Sequence, residues 1–286
     1  MRDQLKKLQE DIYNYSLAKD NDYYNNYSPK LSFFPVGNLF DVTFFGDGYD
    51  DDPDTKISEI NYETNFAFCS LLDLLSDQTI AEQLISISFT GPDEGANGTK
   101  SWNFNRLLNS DAVFTNLKSF SVQLTDMGDH NQNVIDNGDL EEGGMIAKLI
   151  SKMPNLEQLV IPSAPDYSFF EIGEHPLKHL KLQAGYTHQN FIENLAKSNN
   201  FKQLTTLDYT DLIDFYDFSD EEYTHFDSFV ELFKSPAFSS IRSFKLRNNN
   251  LNDEQLFELE RLKKVSFLII KAKGGRYVSH LLREKK

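Results

Sequence analysis

The sequence predicts an α/β solenoid, a curved stack of strand-and-helix units with a parallel sheet on its concave side and helices outside. Three observations predict it. One short apolar frame recurs in order along the 286 residues. The stretches between frames space their apolar residues as helices do. Strand and helix therefore alternate, and a right-handed crossover from each strand to the next gives a parallel sheet.

Residues 241–253, IRSFKLRNNNLND, show the frame best. Ile241, Phe244, Leu246, Asn249 and Leu251 fall on L-x-x-L-x-L-x-x-N-x-L, the spacing of a leucine-rich repeat. With any large apolar residue allowed, the core of the frame also falls on Leu84/Ile87/Phe89, Leu117/Phe120/Val122, Leu156/Leu159/Ile161, Leu177/Leu180/Leu182, Leu204/Leu207/Tyr209 and Leu262/Val265/Phe267. First positions step by 33, 39, 21, 27, 37 and 21 residues. The short steps match a repeat of about 20 to 29 residues, and the long ones contain inserted loops. Frame positions one, four and six point into the stack, where each large side chain contributes roughly 1.5 to 3 kcal/mol on burial. The ninth position holds Asn only at Asn249; elsewhere it holds Pro92, Thr125, Ala164, Gly185 and Leu212. About seven irregular repeats are expected.

The elements follow in order. In residues 1–30, Leu5, Leu8, Ile12 and Tyr15 form the stripe of an amphipathic helix, and a polar linker follows. Residues 31–83 read as an N-terminal cap, with LSFFPVGNLFDVTFFGDG as strand and turn and TNFAFCSLLDLL as a helix. The repeats occupy 84–272, with helices at GGMIAKLISKM, HQNFIENLAKSNN, DSFVELFKSPAF and NDEQLFELERL, the last capped by Asn252 or Asp253. Residues 273–286 read as a basic C-terminal cap, which a stack of repeats needs because its end units have no neighbour.

Beyond the generic frame, DNGDLEEGGMIAKLISKMPNLEQLVI (136–161) and EHPLKHLKLQAG (174–185) carry a G-D-L before a helix, a P-x-L-E-x-L strand and a His-Pro pair leading a leucine strand. In these the chain resembles a family of bacterial cytosolic leucine-rich-repeat proteins, from about Pro35 to Lys271. The resemblance implies a ribonuclease-inhibitor-like horseshoe with a binding role and no assigned enzymatic activity.

Charge narrows the partners. With 44 acidic against 28 basic residues the formal charge is −16, so the phosphates of nucleic acid and anionic lipid are repelled and a basic protein is attracted. No apolar run reaches the roughly 18 residues of a membrane helix, and the N-terminus has no apolar core or cleavage site of a secretory signal. A single cysteine, Cys69, lies in the apolar AFCSLLDLL and fits a core position in a reducing, cytoplasmic setting.

Two surfaces are candidates for binding. Strand residues between the frame positions line the concave face, where His179, Lys181, Gln183, Lys245 and Arg247 are the larger polar groups. Excess acid gathers in 46–54, 125–142 and 208–223, which contain no Lys or Arg. In the last, Asp208, Asp211, Asp214, Phe215, Tyr216, Asp217, Phe218 and Asp220 interleave carboxylates with rings, a combination that steers a basic partner and then anchors it.

Motif chemistry is sparse. Asp129, Asn131 and Asn133 begin like a calcium loop, but Val134 replaces the turn glycine and Leu140 the bidentate acid. Pro176 separates His175 from His179, and the glycines of DEGANGTK and KAKGGRY lack phosphate-loop spacing. No metal, cofactor or catalytic residue is assigned. The reading is a non-catalytic protein-binding scaffold, in its sharper form an inhibitor or immunity protein against a basic toxin. The alternative is an enzyme or small-ligand binder with its site in 125–142 and 208–223.

Overall fold

The computed structural model describes residues 1–19, 26–48, 65–93, 98–126, 128–138, 141–212, 219–262 and 265–270. Its strands are β1 (Lys30–Val36), β2 (Leu39–Phe45), β3 (Leu84–Thr90), β4 (Gly98–Trp102), β5 (Ser119–Val122), β6 (Asn131–Ile135), β7 (Gln158–Ile161), β8 (His179–Gln183), β9 (Thr206–Thr210), β10 (Ser243–Arg247) and β11 (Ser266–Ile270). Nine of them form one sheet in the order β1-β2-β3-β5-β7-β8-β9-β10-β11, antiparallel only between β1 and β2. The fold is therefore α/β with a mainly parallel sheet whose neighbours follow chain order. β1 and β2 turn on Gly37 and Asn38; Gly37 has φ +63°, a conformation that costs glycine nothing.

The apolar frame explains this sheet. All 18 residues at positions one, four and six of the first six frames, from Leu84 to Leu246, are no more than 2% exposed. In the seventh, Leu262 and Val265 pack partly buried against the same core. The side covered by these residues faces the helices α2 (Phe66–Leu75), α3 (Gln78–Ala81), α4 (Asn105–Leu108), α5 (Met145–Ser151), α6 (Phe191–Lys197), α7 (Phe226–Lys234) and α8 (Asp253–Leu262). Asn252 caps α8: its Oδ1 accepts from Gln255 N at 3.0 Å while Gln255 Oε1 accepts from Asn252 N at 2.9 Å.

Rings fill the core. Phe89 of β3 lies 5.0 to 6.3 Å, centroid to centroid, from Phe44, Phe68, Trp102, Phe104 and Phe120. Further along, Phe169, Phe170, Phe191 and Phe201 form a second cluster, which Tyr209 joins by stacking on Phe191 at 5.8 Å. The first helix, α1 (Arg2–Lys19), buries Leu5, Leu8 and Ile12, and Tyr15 stacks on Phe66 at 4.5 Å.

Two placements differ from the sequence reading. The N-terminal segment supplies not only a cap: β2 joins the parallel array directly beside β3. Residues 125–142, expected as one acidic loop, contain β6, which pairs in parallel with β4. Polar Asn131, Gln132 and Asn133 hide this strand from any apolar alternation, and Asn133 uses its side chain to accept from Trp102 Nε1 at 3.2 Å. The expected cap at 273–286 lies outside the described residues. Among the described residues no helix is long and apolar enough to cross a membrane.

Candidate binding surface on the polar face of the sheet

Side chains alternate across a strand, so burial of frame positions four and six sends positions three, five and seven to the other face. Strand register lines these up in rows. One row runs Thr43, Ser88, Ser121, Val160, Lys181, Asp208 and Lys245. Its first half is small and neutral, and Ser121 Oγ donates to Ser88 Oγ at 2.8 Å. Its second half is charged.

Asp208 is the centre of that half. Its carboxylate accepts from Arg247 Nε at 2.6 Å and Nη2 at 3.0 Å, and Lys245 Nζ stands 3.8 Å away. Lys181, opposite Asp208 on β8, is exposed and makes no ion pair among the described residues, and His179 is exposed beside it. Gln183 is buried and committed: Oε1 accepts from Thr125 N at 2.9 Å and Nε2 donates to Thr125 O at 2.8 Å, tying the end of β8 to the segment after β5.

The residues named for the acidic rim do not share one surface. Asp208 belongs to the sheet face and is 6% exposed, and Asp211 is fully buried. The Asp211 carboxylate accepts from Leu212 N at 2.9 Å, Thr224 N at 3.1 Å and Tyr209 Oη at 3.3 Å. Burial pushes it up to about 6, with His188 and its hydrogen bonds opposing. The same burial raises the Tyr209 phenol well above its ordinary range. Asp220 is exposed at the start of a 3-10 turn whose Glu221 and Glu222 are also exposed. Asp214, Phe215, Tyr216, Asp217 and Phe218 lie outside the described residues.

Sequence reading missed a charged row at the entry edge. The second position of successive frames holds Lys118, Glu157, Lys178, Thr205 and Arg242. Glu157 accepts from Lys118 Nζ at 2.9 Å and Lys178 Nζ at 2.7 Å, and Lys178 first, then Lys118, holds its carboxyl down at about 2. The signal was the frame itself: position two of each unit lands at the same height on the next strand.

Two other polar clusters pin inserted segments. Asp93 Oδ1 accepts from His130 N at 2.9 Å and its Oδ2 contacts His130 Nδ1 at 2.7 Å. Glu142 accepts from Ile146 N at 3.0 Å and Asp166 N at 2.7 Å. Asn131 and Asn133, two of the three residues that began like a calcium loop, are strand residues of β6. Among the described residues no group of three or more His, Cys, Asp or Glu side chains is placed to hold a metal ion. A cleft of about 320 Å³ lies between α1 and β1, lined by Gln9, Ile12, Tyr13, Pro29 and Leu31 among others, apart from the charged rows.

Comparison with known protein families finds no match, and comparison with curated proteins finds none. Among solved structures, a structural-genomics crystal structure from Bacteroides fragilis aligns over 85% of this chain and 94% of its own at 14% identity, with a TM-score of 0.36. That likeness is too slight to carry an argument about this chain.

Proposed function

We propose that the chain is a leucine-rich-repeat horseshoe of the reducing cytoplasm that acts as a non-catalytic protein-binding scaffold. The strand order, in which each new parallel strand adds beside the last, and the burial of the same three frame positions in six successive units support the horseshoe. The observation that carries the scaffold role is the polar face: it exposes Gln158, His179 and Lys181 on β7 and β8 and leaves Ser88, Ser121, Lys245 and Arg247 on the strands to either side half-exposed.

The net charge of −16 and the exposed Asp220, Glu221 and Glu222 favour a partner with a basic region that meets the rim. An inhibitor of a basic toxin is the sharper form of the same reading. The test is capture from native lysate on immobilised protein, repeated with Asp220→Lys, Glu221→Lys and Glu222→Lys combined. One basic protein retained at equal stoichiometry, released by salt and lost on the triple variant, is the expected result. Equal retention by both proteins overturns the role of the rim, and retention of nothing by either overturns the scaffold.

A further inference from the structure

The charge of this protein is unevenly spread, and the unevenness falls on the surface described above. The strands β5 and β7 to β10, with the frame residues that enter them, carry Lys118, Lys178, Lys181, Arg242, Lys245 and Arg247 against only Glu157 and Asp208. A chain with a formal charge of −16 thus holds an island with four positive charges in excess.

Both carboxylates are already engaged. Glu157 lies between Lys118 and Lys178, and Asp208 is gripped by Arg247 with Lys245 beside it. Neither can neutralise the remaining cations: Lys181 makes no ion pair among the described residues, and the Arg242 guanidinium donates to a backbone carbonyl, Ser239 O, at 3.0 Å. Side chains of Lys181 and Arg242 are exposed, so the excess charge faces water. The geometry is repetitive as well, because neighbouring strands stand about 4.8 Å apart, and cations recur along two parallel rows. A surface of this kind is complementary to several carboxylates on one segment rather than to a single anion.

We infer that this cationic island, the charged part of the sheet face together with its entry edge, docks an acidic segment of the partner protein. The inference rests on the scaffold reading and adds the chemistry of one contact: a partner whose basic region meets the rim presents acid to β7 to β10. Opposed charges on two adjoining surfaces also fix the orientation of the partner, since rotating it would bring like charges together.

The experiment titrates the full-length protein with a fluorescently labelled polyglutamate peptide at low salt, followed by anisotropy. Matched polylysine and oligothymidylate probes are run in parallel. The expected result is binding of polyglutamate that weakens as salt is added and falls by about tenfold in the Lys181→Glu, Arg242→Glu double variant. Both substituted residues are exposed, so thermal unfolding should be unchanged, and Lys181→Arg should bind like the parent. Absence of polyglutamate binding, equal binding by the double variant, or preference for oligothymidylate overturns the inference. Should a lysate partner still be captured in that event, the scaffold reading stands and the acidic contact alone is wrong.

Discussion

The guanidinium of Arg247 grips the carboxylate of Asp208 in two parallel hydrogen bonds, across the boundary between β10 and β9. Side-chain exposure is 8% for Asp208 and 20% for Arg247, so the pair is largely withdrawn from water. Fork-to-fork pairing of this kind fixes geometry as well as charge. It therefore locks the register of two strands on the face that the proposed partner meets.

Removing one member should cost more than removing both. Asp208→Ala leaves Arg247 and Lys245 facing each other without a carboxylate, and a loss of about 2 to 4 kcal/mol is expected from the penalty for breaking a buried pair. Arg247→Ala strands the acid but leaves Lys245 nearby, so its loss should be smaller. Urea denaturation of the two single variants and the double variant measures the coupling. Additive losses, with no coupling between the sites, would show that the pair does not act as a unit.

Asp211 predicts a pH dependence with a defined sign. Burial raises its carboxyl from the ordinary 3.8 to about 6 in the folded state. The folded protein then holds this proton between about pH 4 and 6 while the unfolded chain releases it. This stabilising contribution is complete below about pH 4 and is lost as pH rises through about 6. Denaturation at a series of pH values should show this slope in the parent and its loss in Asp211→Asn. An identical slope in the two proteins would assign the effect elsewhere.

The sheet was legible in the sequence because its frame is set by a single requirement, burial at three positions of a short strand, and large apolar residues satisfy it from Leu84 to Leu246. What escaped notice depended on pairings that no local pattern encodes. β6 is built from Asn131, Gln132 and Asn133, which a sequence reader assigns to a loop until Trp102 is seen to donate to Asn133. Asp208 and Asp211 looked like equal members of an acidic rim. One is paired by a residue 39 positions away and the other is buried among backbone donors. Charge on a strand can be read from sequence; the partner that neutralises it comes from the neighbouring strand.

The open edge of the sheet supplies the last prediction. β1 is the outermost strand at the N-terminal end, and an unpaired strand edge invites association with another chain. Phe40 N donates to Gln83 O on the β3 side, so the opposed Pro35/Phe40 pair is not hydrogen-bonded and the Pro35 nitrogen faces outward. A donor is thus missing from the edge where a docking strand would need one. Four residues back along β1, the Leu31 carbonyl has the same outward sense and is occupied by Gln9 Nε2 of α1 at 2.6 Å. Proline and a helix side chain thus remove one donor and one acceptor from this edge. Replacing Pro35 by Thr restores the donor, and Gln9→Ala uncovers the acceptor. The double variant should remain folded by circular dichroism but associate with rising concentration in light scattering, more than either single variant does. A monomer-like mass for the double variant at concentrations where the parent is unchanged would mean that the edge is protected by something other than these two residues.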